Sequence, residues 1–321
     1  AQQAREDGET EADAEHGPWH FVVNGVNYMA VIQQGKDAGL RETFYRAFRA
    51  RGTSEGFDNR PILTEMLHLR QEEAQLVGFD HYAALSIDAK MAGSVEDVWS
   101  LLSELEQAAR PAAESELKAL ERHAREYGIG AELAPWDVAF VSERLREAQY
   151  DYDSEAIRSY LQMPRVLEGL FDLTERLYGL RIREVEADAV PVWDESVRFY
   201  EVLSGDEVIA GFYVDPYARP GEKRGGAWMN TVVGKSRTLA GPGQTSSLPV
   251  ALFVMNGRPP ESGMPALMSL EEVRTLFHEF GHATQHMFTE VEEGAAAGLN
   301  LVEWDAVELA SQFNEYWMEH K

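Results

Sequence analysis

Apolar positions recur every three or four residues through most of the first 180 positions, and every second residue in several later stretches. The first pattern predicts helices over Leu40 to Arg51, Pro61 to Gly78 and Asp80 to Met91, each bounded by Gly, Asp or Pro. Ser94 opens a longer one with apolar positions at Val98, Leu101, Leu102 and Leu105. Pro111 lacks an N–H and is expected to kink or restart that helix, whose second piece runs to about Tyr127. Pro135 begins another, and a further one spans Pro164 to Tyr178. Before all of these, residues 1–16 form an acidic lead-in, and Trp19 to Val23 followed by Asn24-Gly25 reads as a short strand and turn.

The period changes after Leu180. Arg181 to Glu186 alternates, and Val197 to Val202 pairs naturally with Val208 to Tyr213 across Ser204 to Glu207, a β-hairpin. Arg219 to Met229 is a basic, turn-rich entry to another strand, and Leu248 to Met255 is the last strand. The expected fold class is mainly α with a small antiparallel β-sheet. Two regions are expected, helical over 1–180 and sheet plus helices over 181–321. Ala251 to Asn256 is the candidate exposed rim strand, whose edge could hold an extended peptide by main-chain hydrogen bonds.

One helix follows the sheet. Ser269 is a good N-cap and Glu272 completes a capping box, so Ser269 to Glu290 reads as amphipathic with Leu270, Val273, Phe277, Gly281 and Thr284 inward. It carries His278-Glu279-Phe280-Gly281-His282. Histidines four apart project from one face a turn apart, close enough to share a metal at about 2.0–2.1 Å. Glu279, one residue round, is placed to act on water as a general base without ligating. The next histidine, His286, lies about 12 Å along the axis from His278 at ~1.5 Å per residue, too far to share an ion. It is read as a surface or ligand-neighbouring histidine. A third ligand must therefore come from elsewhere, and Glu303, Asp305 and Glu308 on the next helical stretch, Glu303 to Phe313, are all open to it. Asp305 could alternatively orient a ligand imidazole.

Composition narrows the chemistry. The chain has no cysteine, so any metal is held by nitrogen and oxygen, and a reducing, cytoplasmic setting is expected. Its formal net charge of −26 disfavours nucleic-acid or anionic-membrane partners. No apolar run approaches the ~18 residues of a membrane helix. A P-loop and a dinucleotide fingerprint are both missing.

LFHEFGH followed by WDAVELASQFNEYW resembles the thimet oligopeptidase and oligopeptidase A family of zinc metallopeptidases, most nearly its oligopeptidase A branch. LRETFYRAF, AQLVGFDHYAALSIDAKMA, PWDVAFVSERL and FYVDPYARPGEKRGGAWM occur in that family's order. The resemblance implies a zincin-like (gluzincin) fold and one zinc per chain held by His278, His282 and Glu308. It further implies Glu279 as the base that activates water, a helical channel wall over 1–180, and short peptides as substrates. Ala310 departs from it, standing where the family usually has Pro. The chain starts without Met and stops inside a helical pattern, so it is expected to be a central portion of such an enzyme. The family's oxyanion-stabilising Tyr and His pair would come after the zinc glutamate, beyond Lys321, so this stretch alone is expected to bind zinc but to cleave weakly or not at all. A non-catalytic zinc- or peptide-binding module is the alternative.

Overall fold

The computed structural model describes residues 15–319 apart from 131, 152–153, 187, 220 and 261–262, together with Gly8 and Asp13; at Val26, Ser154 and Glu155 it describes the backbone alone. Most of the acidic lead-in lies outside these residues. Contacts divide the chain into two compact units, Ala1–Tyr152 and Asp153–Lys321.

The first unit is helical: α1 (Gly25–Gln34), α2 (Ala38–Arg49), α3 (Arg60–Leu76), α4 (Tyr82–Asp88), α5 (Val95–Ala124) and α6 (Val138–Tyr150). Two expectations need correction here. Trp19 to Val23 forms no strand; instead the Asn24 side chain accepts from the Asn27 N–H and caps α1, so Asn-Gly starts a helix rather than a hairpin. Pro111 does not restart α5, which runs through it unbroken from a Ser94 cap. The carbonyl that Pro111 leaves without a donor belongs to Gln107, an exposed residue whose backbone water can reach. Arg41, fully buried, ties this unit together by donating to Asp137 at 2.5 Å and to the Gly35 carbonyl at 2.7 Å.

The second unit holds α7 (Ser154–Arg158), α8 (Met163–Tyr178), β1 (Leu180–Glu184), β2 (Arg198–Ser204), β3 (Glu207–Tyr217), β4 (Trp228–Val233), β5 (Val250–Gly257), α9 (Leu270–Met287) and α10 (Leu309–Glu315). The sheet runs in the order β1-β2-β3-β5-β4. The expected hairpin is present, Arg198 opposite Val214 and Val202 opposite Ala210. The sheet is mixed rather than antiparallel, because β3 and β5 pair in parallel, Phe212 opposite Ala251. β4 then folds back antiparallel to β5. Ala251 to Asn256 is therefore an interior strand and not the rim; the edges are β1 and β4. Its unbroken apolar run, with Ala251, Phe253 and Met255 buried, is what a strand paired on both sides requires.

One sheet face packs on α8 and α9 around Leu170, Val202, Phe212, Val214, Phe253, Leu276 and Phe280. Phe280 is central, its ring edge-on to Phe212 at 5.7 Å and to Phe253 at 6.0 Å. No helix among the described residues is long and apolar enough to cross a membrane.

Where β3 ends, Asp215 is buried and accepts from Arg219 at 2.8 and 2.6 Å, from Lys223 at 2.8 Å and from the Trp193 indole at 2.9 Å. Burial alone would raise its pKa; those hydrogen bonds outweigh it and hold the carboxyl below the usual aspartate range. Its stabilisation is thus complete above the unfolded value of about 3.9 and is lost as pH falls through the lower folded value. Asp215→Asn leaves the Lys223 ammonium buried without its counter-charge, and should cost about 3–5 kcal/mol in urea unfolding at pH 7. The difference from wild type should shrink as the titration is repeated toward pH 3.

Candidate metal centre

The capping box predicted at the start of α9 is formed: the Ser269 hydroxyl accepts from the Glu272 N–H at 3.2 Å, and the Glu272 carboxylate accepts from the Ser269 N–H at 2.6 Å. With that end fixed, one face of α9 carries Val273, Leu276, Phe280 and Ala283 into the sheet core. His278 and His282 lie half-buried on another face, ring centroids 4.9 Å apart. Leu270, expected inward, remains 38% exposed at the first turn.

α10 meets that second face at Gly281. A Cβ there would stand 2.6 Å from the Ser311 Cα and 2.7 Å from the Ala310 carbonyl oxygen, so only glycine permits this approach. Asn314 holds it by donating to the Phe277 carbonyl at 2.5 Å. Of the three carboxylates open in the sequence, the contact brings in Glu308, whose Oε2 lies 3.2 Å from Nε2 of His278 and 3.2 Å from Nε2 of His282. Ser311 Oγ donates to the same oxygen at 2.8 Å.

One feature of this segment differs from expectation: the helix does not span Glu303 to Phe313. Trp304 to Val307 lie in turns, and Glu308 is the N-cap of α10. The Glu308 side chain is about half exposed, at 48%, and Leu309 points largely outward. Glu303 and Asp305 are exposed outside the ligand cluster.

The orienting carboxylate is also a different residue. His278 Nδ1 donates to Glu315 Oε1 at 2.6 Å, which fixes its tautomer and turns Nε2 toward Glu308. Asp305 orients neither ring: the His282 Nδ1 is buried without a hydrogen-bond partner. The sequence did carry a signal for Glu315, seven residues or two helical turns after Glu308 on the same face.

His286 is not a surface residue. It is wholly buried, and its Nε2–H donates to the Val233 carbonyl at 2.9 Å. Burial pushes its pKa down, against the Val233 and Val250 carbonyls that favour its cation. Glu279 is buried beside the cluster, and desolvation raises its pKa against the opposing pull of His278 and the Met229 backbone N–H. Burial lowers the His282 pKa, with Glu308 opposing. For Glu308, burial would raise the pKa, but the Ser311 hydroxyl and the two imidazoles outweigh it and the net shift is downward.

His278, His282 and Glu308 each offer one ligand atom, all within 4.8 Å of one another. Ligands about 2.1 Å from a tetrahedral centre stand about 3.4 Å apart, so the observed 3.2 Å spacings suit a shared ion. Two imidazoles and a carboxylate form a His₂Glu donor set, the type found in hydrolytic zinc sites.

The class defined by this fold and donor set agrees with comparison to known proteins. The chain belongs to peptidase family M3, which matches residues 31–321. It is 45% identical over 324 residues to the organellar oligopeptidase A, chloroplastic/mitochondrial, of Arabidopsis thaliana, covering 100% of this chain and 41% of that protein. To oligopeptidase A of Escherichia coli (strain K12) it is 41% identical over 298 residues, 91% of this chain and 43% of the relative. Dipeptidyl carboxypeptidase of the same organism is 33% identical over 305 residues, 94% of this chain and 43% of the relative. The chain spans less than half the length of these relatives.

Glu315→Gln should keep the fold and weaken zinc binding about 10–100-fold, read by competition with a chromogenic chelator. Gly281→Ala should lower zinc affinity further, because the clash moves the backbone that carries Glu308. Its overpacking should cost about 1–3 kcal/mol in denaturant unfolding, beyond the small gain in helix propensity.

Proposed function

We propose that the chain carries the metal-bearing part of a zinc-dependent oligopeptidase that hydrolyses internal bonds of short peptides. The observation that carries this is the convergence of His278, His282 and Glu308, with Glu279 buried next to them and outside the donor set. His278, His282 and Glu308 would hold the ion, one per chain. When bound, zinc supplies Lewis acidity: it acidifies water and polarises a carbonyl.

The protein's own groups do the rest. Burial of Glu279 favours its protonated form, so its carboxylate can take a proton from water at neutral pH and return it to a leaving amine. Glu315 keeps the His278 Nδ1 proton away from the reacting side. Edge strand β4, not β5, would hold an extended peptide by main-chain hydrogen bonds, since its outer edge faces no other strand. Family membership supports peptide substrates, and the higher identity to oligopeptidase A than to dipeptidyl carboxypeptidase favours internal cleavage over removal of terminal dipeptides. A cysteine-free chain suits a reducing compartment, and a cytoplasmic location belongs to the same proposal.

Glu279→Gln should retain about one zinc per chain by metal analysis while kcat on a quenched peptide falls at least about 100-fold, the lower range for loss of acid–base catalysis. Undiminished turnover at full zinc content would refute the role of Glu279. Wild-type protein that takes up no zinc would refute the site itself.

A further inference from the structure

His286 is a buried imidazole that the chemistry above does not use. Its setting is specific. Nε2–H donates to the Val233 carbonyl at 2.9 Å, and Nδ1 faces the Thr231 hydroxyl at 3.5 Å, both on β4, while the carbonyl of Val250, paired opposite Val233 on β5, also lies close to the ring. Gly298, at φ +65°, packs so closely on the ring that a Cβ would stand 2.5 Å from Nδ1. α9 therefore holds the edge strand at His286, and Glu279 lies near the same strand at Met229, close enough for the Met229 backbone to influence its charge. His286 and Glu279 are seven residues apart on the helix, about 10.5 Å, and Val233 and Met229 four apart on the strand, about 13 Å. These lengths match closely enough for helix and strand to run side by side.

The grip falls where β4 is least determined. Pairing with β5 is regular from Trp228 opposite Val254 to Thr231 opposite Ala251, then shifts so that Val233 faces Val250 and Val232 is left over. An edge strand has no second neighbour to fix its register, and an irregularity near its end is where it could slip. The far end is pinned separately, Asn256 Nδ2 donating to the Arg224 carbonyl at 2.8 Å and to the Gly226 carbonyl at 2.5 Å. His286 holds the end that Asn256 does not.

We propose that His286 is a positioning residue that fixes the register of edge strand β4 against Glu279, and thereby selects which bond of an extended peptide is presented for cleavage. The second half rests on the proposed peptidase function; the first does not. Gln can place a side-chain N–H near the position of the imidazole Nε2, whereas Met fills similar volume without a donor.

Two measurements test this on wild type, His286→Gln and His286→Met at equal zinc content. On a peptide of repeating sequence, with products resolved by mass, wild type and His286→Gln should cut the same bond. His286→Met should scatter to neighbouring bonds, with kcat reduced roughly 100-fold, the scale of an ångström-sized misplacement. Amide hydrogen exchange should rise in β4 of His286→Met, while β2 and β3 keep their protection. One cleavage position in all three proteins, or unchanged β4 exchange in His286→Met, overturns the proposal. So does scatter that His286→Gln fails to rescue. If wild type with full zinc cuts no peptide, β4 exchange alone decides the positioning role. If His286→Met does not fold, Gly298→Ala moves the ring without deleting it and should give the same β4 exchange and cleavage pattern; wild-type behaviour there overturns the proposal.

Discussion

The second unit depends on the distance at which two helices meet. Side chains ordinarily keep packed helix axes about 8–10 Å apart. At Gly281 the backbone of α9 lies directly against Ala310 and Ser311, with no room for a methyl group between them. Glycine inside a helix costs about 1 kcal/mol relative to alanine. The return is that Glu308, at the start of α10, comes within 3.2 Å of both imidazoles. Phe280, one residue before and about 100° round the helix, faces into the sheet core. A single pentapeptide thus fixes the helix to the sheet, presents two nitrogens, and opens the gap through which the third donor enters.

The same burial that stabilises the unit also tunes its titratable groups. Glu279 and Phe280 are adjacent, so the packing that buries the ring desolvates the carboxylate and raises its pKa. His282 is pushed toward its neutral form by the same cause, which leaves a nitrogen lone pair available to a cation. Glu308, half exposed and hydrogen-bonded by Ser311, goes the other way and stays ionised. Two imidazole nitrogens and one carboxylate are thereby offered together to a divalent ion. Glu279 keeps its higher pKa a short distance away.

Local signals in the sequence carried furthest where the chain decides its own structure. The Ser269 capping box, the Ser94 cap and the β2–β3 hairpin are contiguous features, and each formed as expected. The placing of His278 and His282 on one helix face belongs with them, being set by their spacing of four. What was hidden depends on neighbours distant in sequence. The Asn24-Gly25 pair suits a turn or a cap, and the residues after it decide between the two. β5 reads as a strand but not as an interior one, because its parallel pairing with β3 is made across a long crossover that includes β4. His286 looks exposed on a helical wheel, yet it is buried by β4 and the Gly298 loop, neither of which neighbours it in sequence. Glu315 was legible in principle at two turns from Glu308, but Asp305, nearer in sequence to the histidines, competes for the orienting role.

The two halves of the donor set differ in rigidity. His278 and His282 lie in the interior of an eighteen-residue helix, capped at its start and packed on the sheet along its length. Glu308 sits at the N-cap of a helix of seven residues, shorter than the ~12–15 at which an isolated helix becomes even marginally stable in water. α10 is held instead by tertiary contacts: the Gly281 approach, the Asn314 bond to Phe277, and the Glu315 bond to His278. The last of these is made to a residue of the cluster itself, so the carboxylate that orients His278 also anchors the element that supplies Glu308. Orientation of the first donor and delivery of the third are therefore one structural event. An ion held by the imidazoles and Glu308 would add a further tie between α9 and α10.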